Sequence, residues 1–203
     1  MTAGSRIIGL TGNADTIVGC LRTNLKQATS GAHQQLDDAM RGRGGWETRT
    51  DYARFLNLQF AARLPVERWI DAHAPFDLRA PAQSHLIARD LETLGEPCPL
   101  ELAPFPYETG GNIQASALGV SWVLAGSSLG NRSILKEIER AGHGDWPTAF
   151  LADPEMLRFW KQLRPRIDLP ASLATLAASS AAATAVFDHF IAHTIPSSPA
   201  AAA

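Results

Sequence analysis

Ala117-Leu118-Gly119-Val120-Ser121-Trp122-Val123-Leu124-Ala125-Gly126-Ser127-Ser128-Leu129-Gly130-Asn131 is the stretch on which the reading of this chain turns. Its apolar content suits a buried helix, yet it carries Gly119, Gly126 and Gly130. Each glycine inside a helix costs roughly 1 kcal/mol relative to alanine, so several in one run need a compensating use. Two uses are physically available, and the spacing leaves both open. A missing side chain lets another helix pack closely, or it lets a flat ligand lie against a backbone that kinks over it. Ser127 and Ser128 stand beside the expected kink and offer hydroxyls or a place to hold water.

Towards the amino terminus, Ile17, Leu21, Leu25, Ala28, Ala32 and Leu36 recur every three or four residues, which predicts a first helix from about Thr16 to Met40. His33 lies eight residues after Leu25 and three before Leu36, on or beside the apolar face of that helix. An imidazole placed there can point inward and serve as an iron ligand. The same spacing equally describes a boundary histidine bonded to a backbone carbonyl.

The rest of the chain is also helical in pattern. Asp51 is a candidate cap for a second helix, and Pro65 is expected to break or kink it before a continuation to about His73. A third helix is expected over about Pro81 to Leu94, with Gly95 as its stop. The glycine-bearing helix spans about Asn112 to Ala141. A fifth begins at Asp153-Pro154 and stops near Pro165, and a sixth runs from about Pro170 to His193. No strand-like alternation and no internal repeat stand out, so the expected class is all-α, one multi-helical domain over residues 16–195. Residues 1–15 read as a flexible segment and 196–203 as a disordered tail.

Composition narrows the function classes. At 203 residues the chain has the size of one domain. Eighteen Lys and Arg against twenty Asp and Glu leave no basic surplus, which argues against nucleic acid as a partner. Cys20 and Cys98 make no paired or zinc-binding spacing. No stretch approaches the roughly 18 apolar residues of a membrane span, and no secretory start is evident, so a cytoplasmic location is expected. His189 and His193 stand four apart, but neither an accompanying acid nor a third ligand makes them a metal site.

The two singled-out segments together resemble the biliverdin-producing haem oxygenases of bacteria, especially the type associated with bacterial phytochromes. Leu21-Arg22, Ala28-Thr29, His33 and Leu36-Asp37 look like that family's opening, which closes on His-x-x-Leu-Asp. Val123 to Asn131 looks like its distal-helix motif, Val-Leu-Glu-Gly-Ser-x-Leu-Gly-Gly. Tyr52 to Leu56, Arg89-Asp90-Leu91 with Leu94-Gly95, Phe150-Leu151 and Trp160 add matches, so the likeness covers roughly residues 20 to 190. Ala125 replaces a Glu, Asn131 the second closing Gly, and Trp122 a Tyr.

The resemblance implies a haem-oxygenase-like fold in which haem is both substrate and cofactor. It would be cleaved with molecular oxygen to biliverdin, carbon monoxide and ferrous iron. It implies that His33 is the proximal iron ligand, that Gly126 and Gly130 carry the kink over the macrocycle, and that Ser127 holds distal water. Arg22, Lys26 and Arg132 are the candidate cations for the haem propionates. A ferredoxin or flavoprotein reductase would supply electrons, because no nucleotide-binding glycine motif is present. A bacterial phytochrome would be a possible acceptor of the product. The departures at Ala125 and Asn131 motivate an alternative, a haem-binding or partner-binding protein that kept the fold without turnover. A di-iron oxygenase would need several Glu and His ligands projecting from facing helices, and the buried part of the glycine-bearing helix offers none.

Overall fold

Six α-helices and one two-stranded sheet make up the described part of the chain. The computed structural model describes residues 16–42, 44–100 and 102–195. The segments expected to be loose, 1–15 and 196–203, lie outside the described residues. The helices are α1 (Leu21–Gly42), α2 (Arg49–His73), α3 (Ser84–Leu94), α4 (Ile113–Arg140), α5 (Pro154–Ile167) and α6 (Leu173–Thr194). A 3-10 turn, Phe76–Leu78, lies between α2 and α3. No helix among the described residues is long and apolar enough to cross a membrane.

Helix α6 is the hub, packing against both α1 and α4. Its small residues let α4 approach closely. A methyl group on Gly119 would lie 2.1 Å from the backbone oxygen of Ser179, so only glycine fits there. One apolar core joins Leu25, Val66, Trp69, Ile70, Val120, Leu124, Leu163 and Val186. A second, towards the amino-terminal end of α2, gathers Tyr52, Leu56, Ile87, Leu91, Ile138 and Phe150.

Four local expectations change. Thr48, not Asp51, caps α2, and its hydroxyl accepts from the amide of Asp51 in the first turn. Pro65 does not break α2, which runs unbroken to His73 with Pro65 buried inside it. The interior proline costs about 3 kcal/mol, but Val66, Trp69 and Ile70 beyond it are all core residues. Burying each is worth roughly 1.5–3 kcal/mol, so packing outweighs the broken bond.

The third helix begins at Ser84, not near Pro81, because its first amides are capped from elsewhere. Glu67 Oε1 accepts from the backbone of Gln83 at 2.7 Å, and both Glu67 oxygens accept from that of Ser84 at 3.2 Å. Ile17–Cys20 is not the first turn of α1 but a strand, β1, antiparallel to β2 (Pro170–Ser172). That pairing joins segments some 150 residues apart, and the local pattern holds no trace of it.

The loop before α5 is tied to α3 by one carboxylate. Asp90 accepts from the backbone of Ala149 at 3.0 Å and of Phe150 at 2.9 Å. Burial pushes the Asp90 carboxyl up, and these two amides pull the other way. The result fixes Phe150 in the core, where its ring faces Arg63.

Candidate functional site

A cavity of about 300 Å³ opens between α1, α2, α4 and α6. That is the lower end of the range for small-molecule sites, about 300–1,000 Å³. Leu36, Val123, Leu124, Ile134, Phe187 and Phe190 give it apolar walls. On α4 the lining positions Val123, Leu124, Ser127, Gly130, Asn131 and Ile134 follow the three-and-four spacing of one helix face.

His33 stands on the α1 wall, but not in the interior where the spacing allowed it to point. Its side chain is 62% exposed at the open side of the cavity, with its ring 5.7 Å from that of Phe187. His33 Nδ1 lies 3.1 Å from Asp37 Oδ2, one turn on. With its proton on Nδ1, the imidazole donates to that carboxylate and keeps a lone pair on Nε2 for a metal. Asp37, itself more than half exposed, thus orients the histidine.

Two of the three glycines of α4 take the two uses left open by the sequence, and Gly126 takes neither. Gly119 serves helix packing against Ser179. Gly126 does not line the cavity, and a methyl group there would meet only the ring of Trp160, at 4.0 Å. Gly130 does line it, and a methyl group there would have nothing within 4 Å. Helix α4 is unbroken from Ile113 to Arg140, so its hydrogen bonding is not interrupted at these glycines.

Ser127 lines the cavity, but its hydroxyl is committed. It donates to the carbonyl of Leu124 at 2.7 Å and accepts from Arg63 Nη2 at 2.9 Å. The charge behind this wall is Arg63, fully buried, which the motifs do not single out. Gln59, one turn earlier on α2, lines the same wall. The signal lay in the α2 stripe: Tyr52, Phe55, Leu56, Ala62, Val66, Trp69 and Ile70 are buried, and positions 59 and 63 fall on that stripe. Polar residues on an apolar stripe are the ones to question.

The expected propionate partners lie off the cavity. Arg22 is held by Asp168 at 2.5 Å, at the far end of α1. Lys26 stands two turns before His33 on the same face, exposed, and makes no ion pair among the described residues. Arg132 is exposed and does not line the cavity. The cation at the mouth is Arg41, 5.3 Å over the ring of Trp46 and 3.6 Å from Glu137, which also accepts from Trp46 Nε1 at 3.1 Å. Of the three departures from the family motif, only Asn131 lines the cavity. Ala125 is buried in the core, and Trp122 packs against it.

These residues fit a flat apolar ligand with a metal centre. The walls are apolar, an imidazole with a free nitrogen borders them, and Gly130 leaves open the space a side chain would fill. No protein-family model matches the chain, and no curated protein matches it in sequence. Among solved structures it is similar to the haem oxygenase of Neisseria meningitidis, determined with nitric oxide and carbon monoxide bound. The two superpose with a TM-score of 0.68 over 87% of this chain and 91% of that one, at 21% identity. The chain thus has the all-α haem oxygenase fold.

Proposed function

We propose that this protein binds haem in the cavity between α1 and α4, with His33 Nε2 as the iron ligand. We further propose that it degrades haem oxidatively to biliverdin, carbon monoxide and ferrous iron. One observation carries the reading: the His33 imidazole and the bare backbone of Gly130 border the same apolar cavity, from different helices.

The chain's own residues supply binding and orientation. Asp37 holds the imidazole by Nδ1. Leu36, Val123, Phe187 and Phe190 exclude water from the faces of a planar ring. Gly130 lets such a ring approach the α4 backbone. At the mouth, Arg41 can exchange Glu137 for a ligand carboxylate, since both are partly exposed and the existing pair is long. Haem, when bound, supplies the iron at which oxygen is activated. Electrons come from a separate donor of the ferredoxin or flavoprotein reductase kind, and a bacterial phytochrome is the proposed acceptor of biliverdin. Two free cysteines suit the reducing cytoplasm, where we place the protein.

A second reading is a haem-binding protein without turnover, favoured by two features. Asn131, in place of a motif glycine, lines the cavity, and the Ser127 proton is spent on Leu124. Haemin added to the purified protein, followed by reductant in air, separates the two. Loss of the haem absorption with growth of a biliverdin band supports turnover. A stable haem spectrum under the same conditions supports the second reading, and no haem spectrum at all removes both.

A further inference from the structure

Two amide side chains border the cavity with nothing in the protein to bond. Gln59 is 9% exposed and Asn131 6%, and both line the cavity. Neither amide has a hydrogen-bond partner among the described residues, yet neither is sealed off as Gln83 Oε1 and Trp122 Nε1 are. What surface these amides keep therefore opens into the cavity.

The two stand at one level of the wall. Helices α2 and α4 run antiparallel: Tyr52 and Leu56 share a core with Ile138, whereas Val66 and Ile70 share the other with Val120 and Leu124. Between these ends Arg63 bonds Ser127 at 2.9 Å, and beyond them Trp46, just before α2, bonds Glu137 at 3.1 Å. Gln59 lies one turn before Arg63, and Asn131 one turn after Ser127. Antiparallel helices bring those two turns together.

An amide offers two N–H donors and a carbonyl acceptor, carries no charge and does not titrate. Left unpaired among apolar walls it destabilises the fold, so two of them together need a use. Asn131 stands where the family motif has glycine, so its amide is an addition peculiar to this chain. The Ser127 hydroxyl, expected to hold water here, is committed to Leu124 and Arg63. His33 comes from α1, and the amides from α2 and α4.

We propose that Gln59 and Asn131 form a two-amide subsite for the small ligand that occupies haem iron opposite His33. The class is a compact hydrogen-bond acceptor, gripped by the amide N–H groups and favoured over ligands that accept weakly. The inference rests on the haem reading and assigns to this pair the polar contact that the motif placed at Ser127.

The test titrates fluoride into the ferric haemin complex of the full chain, and carbon monoxide into its anaerobic ferrous form. Wild type is compared with Gln59→Met and Asn131→Leu, which keep side-chain bulk and remove the donors. Each variant should bind fluoride about tenfold or more weakly, the loss of a hydrogen bond to a charged partner. Carbon monoxide, a weak acceptor, should be affected far less. In the haem-free protein both variants should melt no lower than the wild type, because no bond within the protein is lost. If Asn131→Leu does not fold, Asn131→Gly takes its place with the same expectation for fluoride. Fluoride binding unchanged in either variant overturns the pair. So does equal weakening of fluoride and carbon monoxide, or a lower haem-free melting temperature, the mark of a structural role. A wild type that takes up no haemin overturns the haem reading and the subsite with it. One that binds haemin and holds fluoride no more tightly than the variants overturns the subsite alone.

Discussion

Arg63 Nη2 donates to Ser127 Oγ at 2.9 Å, and Ser127 in turn donates to the carbonyl of Leu124 at 2.7 Å. The serine is thus a bracket between α2 and α4, and it carries the single hydrogen bond made by a buried guanidinium. Ser127→Ala should therefore cost about 1–3 kcal/mol, the penalty for removing a buried donor's partner. Urea unfolding of the haem-free protein measures it. A cost near zero would mean that Arg63 finds other partners or water.

Gly119 and Gly130 should respond in opposite ways to alanine. At Gly119 the added methyl meets backbone 2.1 Å away, which no rotamer change relieves, so α4 and α6 must part. A loss of at least about 2 kcal/mol is expected. At Gly130 nothing lies within 4 Å, so the haem-free protein should gain up to about 1 kcal/mol from better helix propensity. The same methyl narrows the cavity, so Gly130→Ala should bind haemin more weakly. Denaturation curves and haemin titrations of the two variants check both halves.

Acid should act on α6 before the carboxylates titrate. His189 is 5% exposed, and its pKa is pushed down from 6.5 to about 4, first by burial and then by neighbouring His193. The folded state favours the neutral ring, so the unfolded chain binds the proton more readily. Stability from this group is complete above pH 6.5 and is lost as the pH falls towards about 4. The loss amounts to roughly 3 kcal/mol. Unfolding free energy followed over that window should fall steeply in the wild type and less in His189→Leu. Equal slopes would assign the acid sensitivity elsewhere.

Asp37 is expected to matter through His33 alone. Asp37→Ala leaves the helix and the apolar walls of the cavity in place but frees the imidazole to rotate and to exchange tautomers. Partners of this kind change metal affinity by about 10–100-fold when removed. Because both side chains are more than half exposed, the lower end is expected, read as faster transfer of haemin to an apoprotein acceptor. Asp38→Ala, one residue on, should leave that rate unchanged.

Periodicity carried the fold further than it carried the site. The order and approximate ends of all six helices follow from apolar spacing and from caps such as Asp153 before Pro154, which accepts from Glu155 and Met156 as the residue types suggest. What local pattern could not contain was set by distant partners: β1 on β2, and Glu67 capping α3. His33 and Gly130 were legible as site candidates, and the structure brings both to one cavity. Charge and proximity in sequence single out Arg22, Lys26 and Arg132, but neither criterion reports how far along a helix, or on which face, the cavity lies. Gln59 and Arg63 sit on a stripe whose other members are apolar, yet the propensity of long polar residues for helices hid the mismatch in burial. Arg41 and Trp46 converge through the bend after α1, a geometry that no spacing rule describes.

Haem bound in this cavity should have its iron held by His33. Resonance Raman of the ferrous haem complex reads that bond directly, through the iron–histidine stretch. The band is expected in the wild type, lost in His33→Ala, and restored when free imidazole is added to the variant. A wild-type spectrum without the band, or one that His33→Ala leaves unchanged, would contradict this ligation.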